Sequence, residues 1–444
     1  MLFGLDEWIL RSPLLIRSKR ALFRWLFALL RRIRPVRLPD RRLVPRPLRR
    51  MVFVPRWRGL REMLANDADF AVDAYGSRMR ETGADFFLGH DRGGQRDSDR
   101  GAALLALEAA DLPRVFSIAR AAAERAIERS QRGLGVRELD GDARASVPVP
   151  LSCHLDVVRE LGDPVFTDVT REFFGLRDPG QLLEWVQLTS WYIFNPLAGP
   201  DDRRRALRAG EEMQVYVRTL VASGSAPPKS VLETLKGQLP TDVATDVAIA
   251  RTITGLVAGF LGPPPRQFVK AVDRLLDLRG RKRRELVRAA RDRNYAAVRA
   301  YLLEAGRFAP DPSLLYRRCN RDTTLDGRRI EAGDTVVGFV DSALMDGSGI
   351  ERPRRFRVGR DPDSQMLFGH GIHECIGREI GLATLCGMTA PLFALPRLRR
   401  ARGNAGMIQF GTRGLYPEQN YPQHLKVRFD PRWLPARQWR RPGS

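Results

Sequence analysis

A ten-residue segment, FGHGIHECIG at positions 368–377, constrains this chain more than any other feature of its sequence. It contains three glycines, two of the five histidines in the chain and one of the four cysteines. The glycines allow a tight loop and let a flat ligand approach the backbone closely. The sequence that follows Cys375 predicts a helix, and a thiol at a helix N-terminus is favoured as thiolate. The segment therefore predicts that Cys375 is held rigidly as a ligand.

Apolar residues three or four positions apart predict helices over much of the chain. The stretches with this pattern are rich in Ala, Leu and Arg and cover residues 101–135, 200–222, 246–261, 267–305 and 376–394. Strand signals are short and occur at 51–54, 335–340 and 425–429. We therefore expect a mostly α fold with a minor β-sheet. One domain at 37–444 follows an N-terminal arm at 1–36.

The formal net charge of +23 comes from 75 basic against 52 acidic residues. This excess indicates either a basic surface for an anionic lipid or acidic partner, or a composition bias that selects no partner. Charge is not accompanied by a nucleic-acid-binding motif, so we expect no nucleic-acid partner. The four cysteines have neither CxxC nor zinc spacing, which predicts reduced thiols in a cytoplasmic protein.

The N-terminal arm combines apolar residues with arginines. Arg11, Arg17 and Arg24 interrupt the apolar run, and no stretch reaches the ~18 apolar residues that a spanning helix needs. Trp8 and Trp25 with these basic residues are typical of a helix that lies on an anionic membrane surface. The alternative is a helix that packs on the protein's own body, with arginine stems covering apolar surface. The first alternative predicts peripheral contact with the inner face of the membrane.

The decapeptide resembles the haem-binding loop of the cytochrome P-450 family, F-x-x-G-x-[R/H]-x-C-x-G. Phe368, Gly371, His373, Cys375 and Gly377 match this pattern in register. The resemblance implies the cytochrome P-450 fold and a haem b cofactor, with the Cys375 thiolate as the axial ligand of the iron. It also implies that His373 meets an anionic group of the haem.

A second motif with the same resemblance lies upstream. Glu304 and Arg307 form E-x-x-R on one predicted helix face, and a hairpin sequence with G-x-x-I-x-x-G follows. By resemblance they form a buried structural pair, and Arg317 contacts a haem propionate, with its neighbour Arg318 as the alternative. Arg100 is the candidate for a second propionate contact.

The family's central helix carries A-G-x-[D/E]-T over the distal face of the haem, and here the pattern breaks. Ala258 and Gly259 align with A-G, but Leu261 and Gly262 occupy the acid and alcohol positions, and prolines follow at 263–265. Leu and Gly cannot deliver protons. Consecutive prolines remove amide donors, so we expect the helix to be interrupted at this point.

The missing relay predicts a haem-thiolate oxidoreductase that uses peroxide or a hydroperoxide. Its reaction would be oxygen insertion or rearrangement on an apolar, lipid-like substrate. Arg266 and Gln267, just beyond the prolines, are candidates for a distal acid. One alternative is a conventional monooxygenase that uses O2 and an external ferredoxin or reductase. Another is a haem-binding protein without catalytic activity.

Overall fold

The computed structural model describes residues 13–38, 48–108, 111–139, 152–238, 245–361, 363–411 and 420–431. Helices dominate these residues. In chain order they are α1 Pro13–Leu30, α2 Trp57–Ala65, α3 Asp73–Glu81, α4 Gly94–Glu108, α5 Leu112–Leu139, α6 Asp163–Glu172, α7 Leu182–Phe194, α8 Pro200–Ala222, α9 Val231–Gln238, α10 Asp246–Leu261, α11 Pro263–Leu276, α12 Gly280–Arg291, α13 Tyr295–Phe308, α14 Val340–Ala343 and α15 Arg378–Phe393. The prediction of a mostly α fold with a minor sheet is therefore confirmed.

The strands are short. They are β1 Val36–Arg37, β2 Met51–Val54, β3 Phe70–Ala71, β4 Cys153–Asp156, β5 Leu314–Cys319, β6 Thr323–Leu325, β7 Arg328–Ile330, β8 Thr335–Phe339, β9 Arg399–Arg400, β10 Gln409–Phe410, β11 Pro422–His424 and β12 Lys426–Phe429. The largest sheet has the order β1-β2-β8-β5-β3. Its β2–β8 pair is parallel, with Val52 opposite Val336, and its other pairs are antiparallel.

Two groups of buried apolar side chains hold these elements together. The larger group lies among the helices and includes Phe166, Phe268 and Phe393, none of which is accessible to solvent. The smaller group lies under the five-stranded sheet and includes Val52 and Leu60. Burying one such side chain contributes about 1.5–3 kcal/mol, so the helical core supplies most of the apolar stabilisation.

The helix that follows the cysteine segment packs unusually close to α5. A Cβ atom at Gly387 would lie 2.8 Å from the Phe116 carbonyl oxygen and 2.9 Å from Ala119 Cβ. Glycine is therefore needed where these helices approach each other. This contact fixes α15, and with it the end of the loop that carries Cys375.

Several predicted boundaries match the structure and others do not. The predicted helices at 200–222 and 376–394 and the strand at 51–54 are present within two residues of the expected bounds. The stretch of helical composition at 267–305 forms three helices, α11, α12 and α13. Asn294 caps α13 by accepting a hydrogen bond from the Ala297 amide at 3.1 Å, which starts a new helix inside this stretch.

The N-terminal arm packs on the rest of the protein along one side. Phe27 of α1 is 4% exposed, and its ring centroid lies 5.3 Å from that of Phe339. Immediately after α1, Val36 pairs with Phe53 and adds strand β1 to the main sheet. The division into an arm at 1–36 and one domain at 37–444 stays a prediction.

One helical stretch in the described part of the chain is long and apolar enough to cross a membrane. It runs from Asp246 to Leu276, but 61% of its apolar window is buried inside the protein. A core helix of a folded domain has the same properties, so this stretch is weak support for a membrane span.

Candidate functional site

The loop before α15 presents Cys375 through a backbone that requires glycine. Gly369 and Gly371 have φ angles of +81° and +75°, a region that other residues rarely adopt. A Cβ atom at Gly371 would also lie 2.5 Å from the Leu64 carbonyl oxygen. The Cys375 amide donates a 2.8 Å hydrogen bond to the Phe368 carbonyl oxygen, which closes the loop. The loop is thus fixed by its own backbone and by its contact with α2.

The Cys375 side chain is accessible, whereas Cys153, Cys319 and Cys386 are buried. Burial nevertheless raises the pKa of the Cys375 thiol, and the backbone N–H of Gly377 acts in the opposite direction. The expected thiolate is therefore not favoured by the protein alone, but contact with a metal ion deprotonates a coordinating thiol.

Next to the thiol, His373 is buried without a close hydrogen-bond partner. Its side chain is 5% exposed, neither ring nitrogen makes a hydrogen bond, and Asp91 lies 3.9 Å from Nε2. Burial lowers the pKa of His373, and the positive charges of Arg317 and Arg96 lower it further. Three groups that can carry positive charge therefore converge beside the cysteine loop.

Arg96 is a member of this group that sequence reasoning missed. It is 7% exposed, its Nη2 donates a 2.5 Å hydrogen bond to the Ile372 carbonyl oxygen, and its buried Nε has no partner. The predicted contact residue, Arg100, lies one turn further along α4 and also has a buried Nε without a partner. The spacing of four residues, which places both side chains on one helix face, was a signal for Arg96.

The structure distinguishes Arg317 from its neighbour. Arg317 is 4% exposed, donates from Nη1 to the Tyr316 carbonyl oxygen at 2.9 Å and lies over the Tyr75 ring. Arg318 is exposed, because successive side chains of β5 point to opposite faces of the sheet. Arg317 therefore lies on the side of His373, and Arg318 does not.

Glu304 and Arg307 form a buried ion pair on α13. Their side chains are 1% and 0% exposed, and Arg307 donates two hydrogen bonds to Glu304 at 2.8 and 3.0 Å. Arg307 also donates to the Leu344 carbonyl oxygen at 2.9 Å, and Arg360 lies 3.2 Å from Glu304. The pair thus ties α13 to the segments at 344–360 that precede the cysteine loop.

Helix α10 ends at Leu261, and α11 begins at Pro263, so the predicted interruption is present. Gly259 is exposed although most of the second half of this helix is buried, and a Cβ atom there would contact nothing within 4 Å. Ala258, beside it, is partly buried. This face of α10 therefore borders an open space. Gly262 lies one turn further on, and a Cβ atom there would lie 2.8 Å from the Ala258 carbonyl oxygen.

The two candidate distal residues lie in different surroundings. Arg266 is 9% exposed, pairs with Asp311 at 2.7 Å and lies over the Tyr421 ring. Lys270 pairs with the other Asp311 oxygen at 2.9 Å, so Arg266 belongs to a buried ionic cluster. Gln267 has a buried Nε2 without a partner, 3.3 Å from where a Cβ atom of Gly306 would be, and thus lies beside α13. The role of both residues as a distal acid stays a prediction.

These donors fit haem b. Its iron requires one protein thiolate, which Cys375 would supply. Its two propionates require hydrogen-bond and cationic partners, for which the buried guanidinium groups of Arg96 and Arg317, the buried Nε of Arg100 and a ring nitrogen of His373 are the candidates. Across the described ranges, no three His, Cys, Asp or Glu side chains lie close enough together to hold a metal ion.

Comparison with known proteins agrees with this interpretation. No family model matches the chain. Cytochrome P450 CYP199A2 of Rhodopseudomonas palustris is 24% identical over 273 residues, which cover 59% of this chain and 64% of the relative. The steroid C26-monooxygenase of Mycolicibacterium smegmatis is 35% identical over 86 residues, which cover 19% of this chain and 21% of the relative. The matches thus span less than two thirds of each of these relatives.

Among solved structures, a mutant of P450 EryK in complex with erythromycin B has the same fold. It superposes with a TM-score of 0.71 at 18% sequence identity, and the alignment covers 95% of this chain and 99% of that one. This chain therefore has the fold of the cytochrome P450 family, and the family resemblance predicted from its sequence is confirmed.

Proposed function

We propose that this protein is a haem-thiolate oxidoreductase of the cytochrome P450 type. The observation that carries this proposal is the accessible Cys375 thiol, on a loop that requires glycine, beside the buried side chains of Arg96, Arg317 and His373. Bound haem would supply activation of oxygen at its iron. Cys375 would hold the iron, and Arg96 and Arg317 would bind the carboxylates of the ring.

The substrate that we propose is a small apolar, lipid-like molecule. The space beside α10 is bordered by Ala258 and Gly259, which add no polar group to it. The name of the steroid C26-monooxygenase relative supports the same class by analogy. An apolar substrate also excludes water as it enters, which strengthens electrostatic interactions within the site.

We propose peroxide or a hydroperoxide as the oxygen donor because neither residue at the relay positions has a side-chain proton that can be transferred. Leu261 is 2% exposed and apolar, and Gly262 has no side chain. Arg266 is held by Asp311, which supports a structural role for its guanidinium in place of the distal acid. A donor that is already reduced needs fewer proton transfers from the protein.

Purified holoprotein with hydrogen peroxide or a fatty-acid hydroperoxide, and no reductase, tests this proposal. Turnover is the expected result. Turnover only with NAD(P)H, a ferredoxin and a reductase would contradict the peroxide proposal and leave the oxygenase proposal intact. Inertness under both conditions, with a normal carbon monoxide spectrum, would indicate a haem-binding protein without catalytic activity.

One observation favours the conventional monooxygenase as a second candidate. Ser190 on α7 is 7% exposed, and its Oγ lies 3.3 Å from the position that a Cβ atom of Gly262 would occupy. A hydroxyl group from the neighbouring helix therefore lies close to the place of the missing alcohol. In this candidate, Ser190 would hold or pass on a proton, and an external ferredoxin or reductase would supply electrons.

The Ser190→Ala variant tests this second candidate, with Thr189→Val as the matched control. The Thr189 hydroxyl is equally buried but donates to carbonyl oxygens of its own helix at 2.9 and 3.2 Å. The second candidate predicts that only Ser190→Ala loses product formation with O2 and reductase, while peroxide-supported turnover persists. Equal behaviour of the two variants would contradict a role for Ser190.

We also propose that the protein contacts the inner face of the membrane peripherally through residues 1–36. Helix α1 supports this because it presents apolar side chains to solvent next to arginines. Sedimentation with anionic liposomes before and after removal of residues 1–36 tests the proposal. Unchanged sedimentation of the truncated protein would contradict it.

A further inference from the structure

Helix α1 leaves an apolar stripe in solvent. Leu22, Trp25 and Leu29 are 58%, 64% and 46% exposed, and Ile33, just after the helix, is 43% exposed. Their spacing of three or four residues places them on one side of the helix. The buried Phe27 anchors the other side against Phe339. The helix thus packs on the body of the protein, as one sequence alternative predicted, and still presents an unpartnered apolar surface.

An arginine-lined groove runs beside this stripe. It has a volume of about 570 Å³ and lies between α1 and the segment at 345–355. Its arginines are Arg31, Arg32, Arg352, Arg354 and Arg355, and none of its lining residues is acidic. Trp25 and Leu29 belong both to the stripe and to the groove wall.

The positive charges in this groove are only partly neutralised. Burial lowers the pKa of Arg31, and the charge of Arg354 lowers it further, whereas Asp346 raises it. Arg352 has an ion pair with Glu351 at 3.7 Å, and both side chains are about two-thirds exposed. No carboxylate in the described part of the chain pairs with Arg32, Arg354 or Arg355. The groove therefore concentrates cationic groups that lack an anionic partner.

We propose that the stripe and the groove together form a docking surface for anionic phospholipid, in which the groove arginines bind lipid phosphates while Trp25 and its apolar neighbours enter the membrane interface. This inference rests on the peripheral membrane contact proposed above, and it identifies the residues and the lipid chemistry. Guanidinium groups bind phosphate oxygens bidentately, and exposed Trp and Leu beside them suit the headgroup region of a bilayer. The sequence before α1 adds Phe3, Trp8 and Ile9, further residues of this kind.

The arginines would also attract an acidic protein, but anionic phospholipid explains both the arginine-lined groove and the apolar stripe. Groove and stripe share Trp25 and Leu29, so the phosphate sites and the apolar residues are adjacent. A bilayer offers this same succession of anionic headgroups over apolar chains.

Sedimentation of the full-length holoprotein with phospholipid vesicles tests this inference. Vesicles that contain phosphatidylglycerol are compared with pure phosphatidylcholine at low and high salt. We expect binding only to the anionic vesicles, with weaker binding at high salt. The Trp25→Ser/Leu29→Ser variant and the Arg354→Gln/Arg355→Gln variant should each lose about tenfold or more in vesicle affinity.

Matched controls test whether vesicle binding depends on this surface or only on the number of exposed apolar and basic residues. Val215 and Val247 are 63% and 66% exposed outside the docking surface, so Val215→Ser/Val247→Ser should leave binding unchanged. Arg205→Gln/Arg208→Gln on α8 removes two exposed arginines and should have only the small effect of lower net charge.

Three results would overturn the inference. They are equal binding to neutral and anionic vesicles, unchanged binding of both surface variants, and a variant effect seen only with an acidic ferredoxin and not with vesicles. The third result would assign the surface to a protein partner. The haem content and carbon monoxide spectrum of the same samples report on the oxygenase proposal separately, so failure of one proposal is not confused with failure of the other.

Discussion

Replacing Arg307 by alanine tests the buried ion pair that supports the cysteine loop. The variant removes two hydrogen bonds to Glu304 and one to the Leu344 carbonyl oxygen, and the Glu304 side chain is 1% exposed. Removing one partner of a buried pair costs about 3–5 kcal/mol. Because Arg360 at 3.2 Å and the Arg357 amide at 2.8 Å still contact Glu304, we expect the lower end of this range.

A loss of about 3 kcal/mol is a large share of the about 5–15 kcal/mol that stabilises a typical domain. Urea unfolding followed by circular dichroism measures it. The matched control is Arg299→Ala on the same helix. Arg299 pairs with Glu379, but these side chains are 35% and 48% exposed, so the control should lose at most about 1 kcal/mol.

A double variant tests whether the destabilisation by Arg307→Ala comes from the unpaired Glu304 carboxylate or from lost side-chain volume. Replacing both Glu304 and Arg307 by leucine leaves no unpaired carboxylate. Arg360 loses its contact with Glu304 but keeps its hydrogen bonds to the Glu351 and Arg355 carbonyl oxygens at 2.7 and 3.1 Å, so the double variant should cost less than Arg307→Ala. If Arg307→Ala unfolds at the same urea concentration as Arg299→Ala, the assignment of a stabilising role to this pair is refuted.

Three further predictions concern the interrupted helix at Gly262, the buried carboxylate of Asp69 and the Arg96 guanidinium beside the cysteine loop. Gly262→Ala places a Cβ atom 2.8 Å from the Ala258 carbonyl oxygen and should destabilise the protein by about 1–3 kcal/mol in the same urea assay. In the control Gly101→Ala, the added Cβ atom has no neighbour within 4 Å, so this variant should stabilise the protein slightly. Burial acts to raise the pKa of Asp69, but hydrogen bonds from Thr323, Asn66 and Arg321 hold this pKa below its ordinary 3.8. The ionised Asp69 side chain therefore stabilises the fold above pH 3.8, and this stabilisation is lost as the pH falls through the lower pKa of the folded state. The free energy of unfolding measured against pH should fall less on the acid side in Asp69→Asn than in wild type. Arg96→Gln should lose haem faster than wild type in transfer to apomyoglobin, while Arg92→Gln, whose arginine is 73% exposed, should retain it.

The sequence was most informative where the residues that form the candidate site also determine the conformation of the backbone. The positive φ angles of Gly369 and Gly371 require glycine, so the loop pattern could be found from residue types alone. Glu304 and Arg307 are three residues apart, so their contact follows from helix geometry.

Contacts between distant segments could not be predicted in the same way. Arg266 meets Asp311 through packing that joins α11 to the segment after α13. The contact between Arg96 and the Ile372 carbonyl oxygen spans 276 positions in sequence. Such contacts depend on how helices are placed in the fold, which residue spacing alone does not specify.

The helix boundaries within 267–305 were not predicted from the sequence, for a local reason. The apolar pattern continues from 267 to 305, and it masked the breaks at 277–279 and 292–294. Gly280, with a φ of +56°, and the Asn294 cap were the signals for these breaks. The apolar periodicity therefore identified the helical stretch, and the turn and cap residues mark where one helix ends and the next begins.

The central claim is that the Cys375 thiolate holds haem iron. The most direct measurement is the absorption spectrum of the reduced carbon monoxide complex of wild type, Cys375→Ser and Cys386→Ala, the last being a buried cysteine on α15. We expect a thiolate-type Soret band in wild type and Cys386→Ala and its loss in Cys375→Ser. Retention of that band in Cys375→Ser, or a wild-type protein that binds no haem, would rule out Cys375 as the ligand of haem iron.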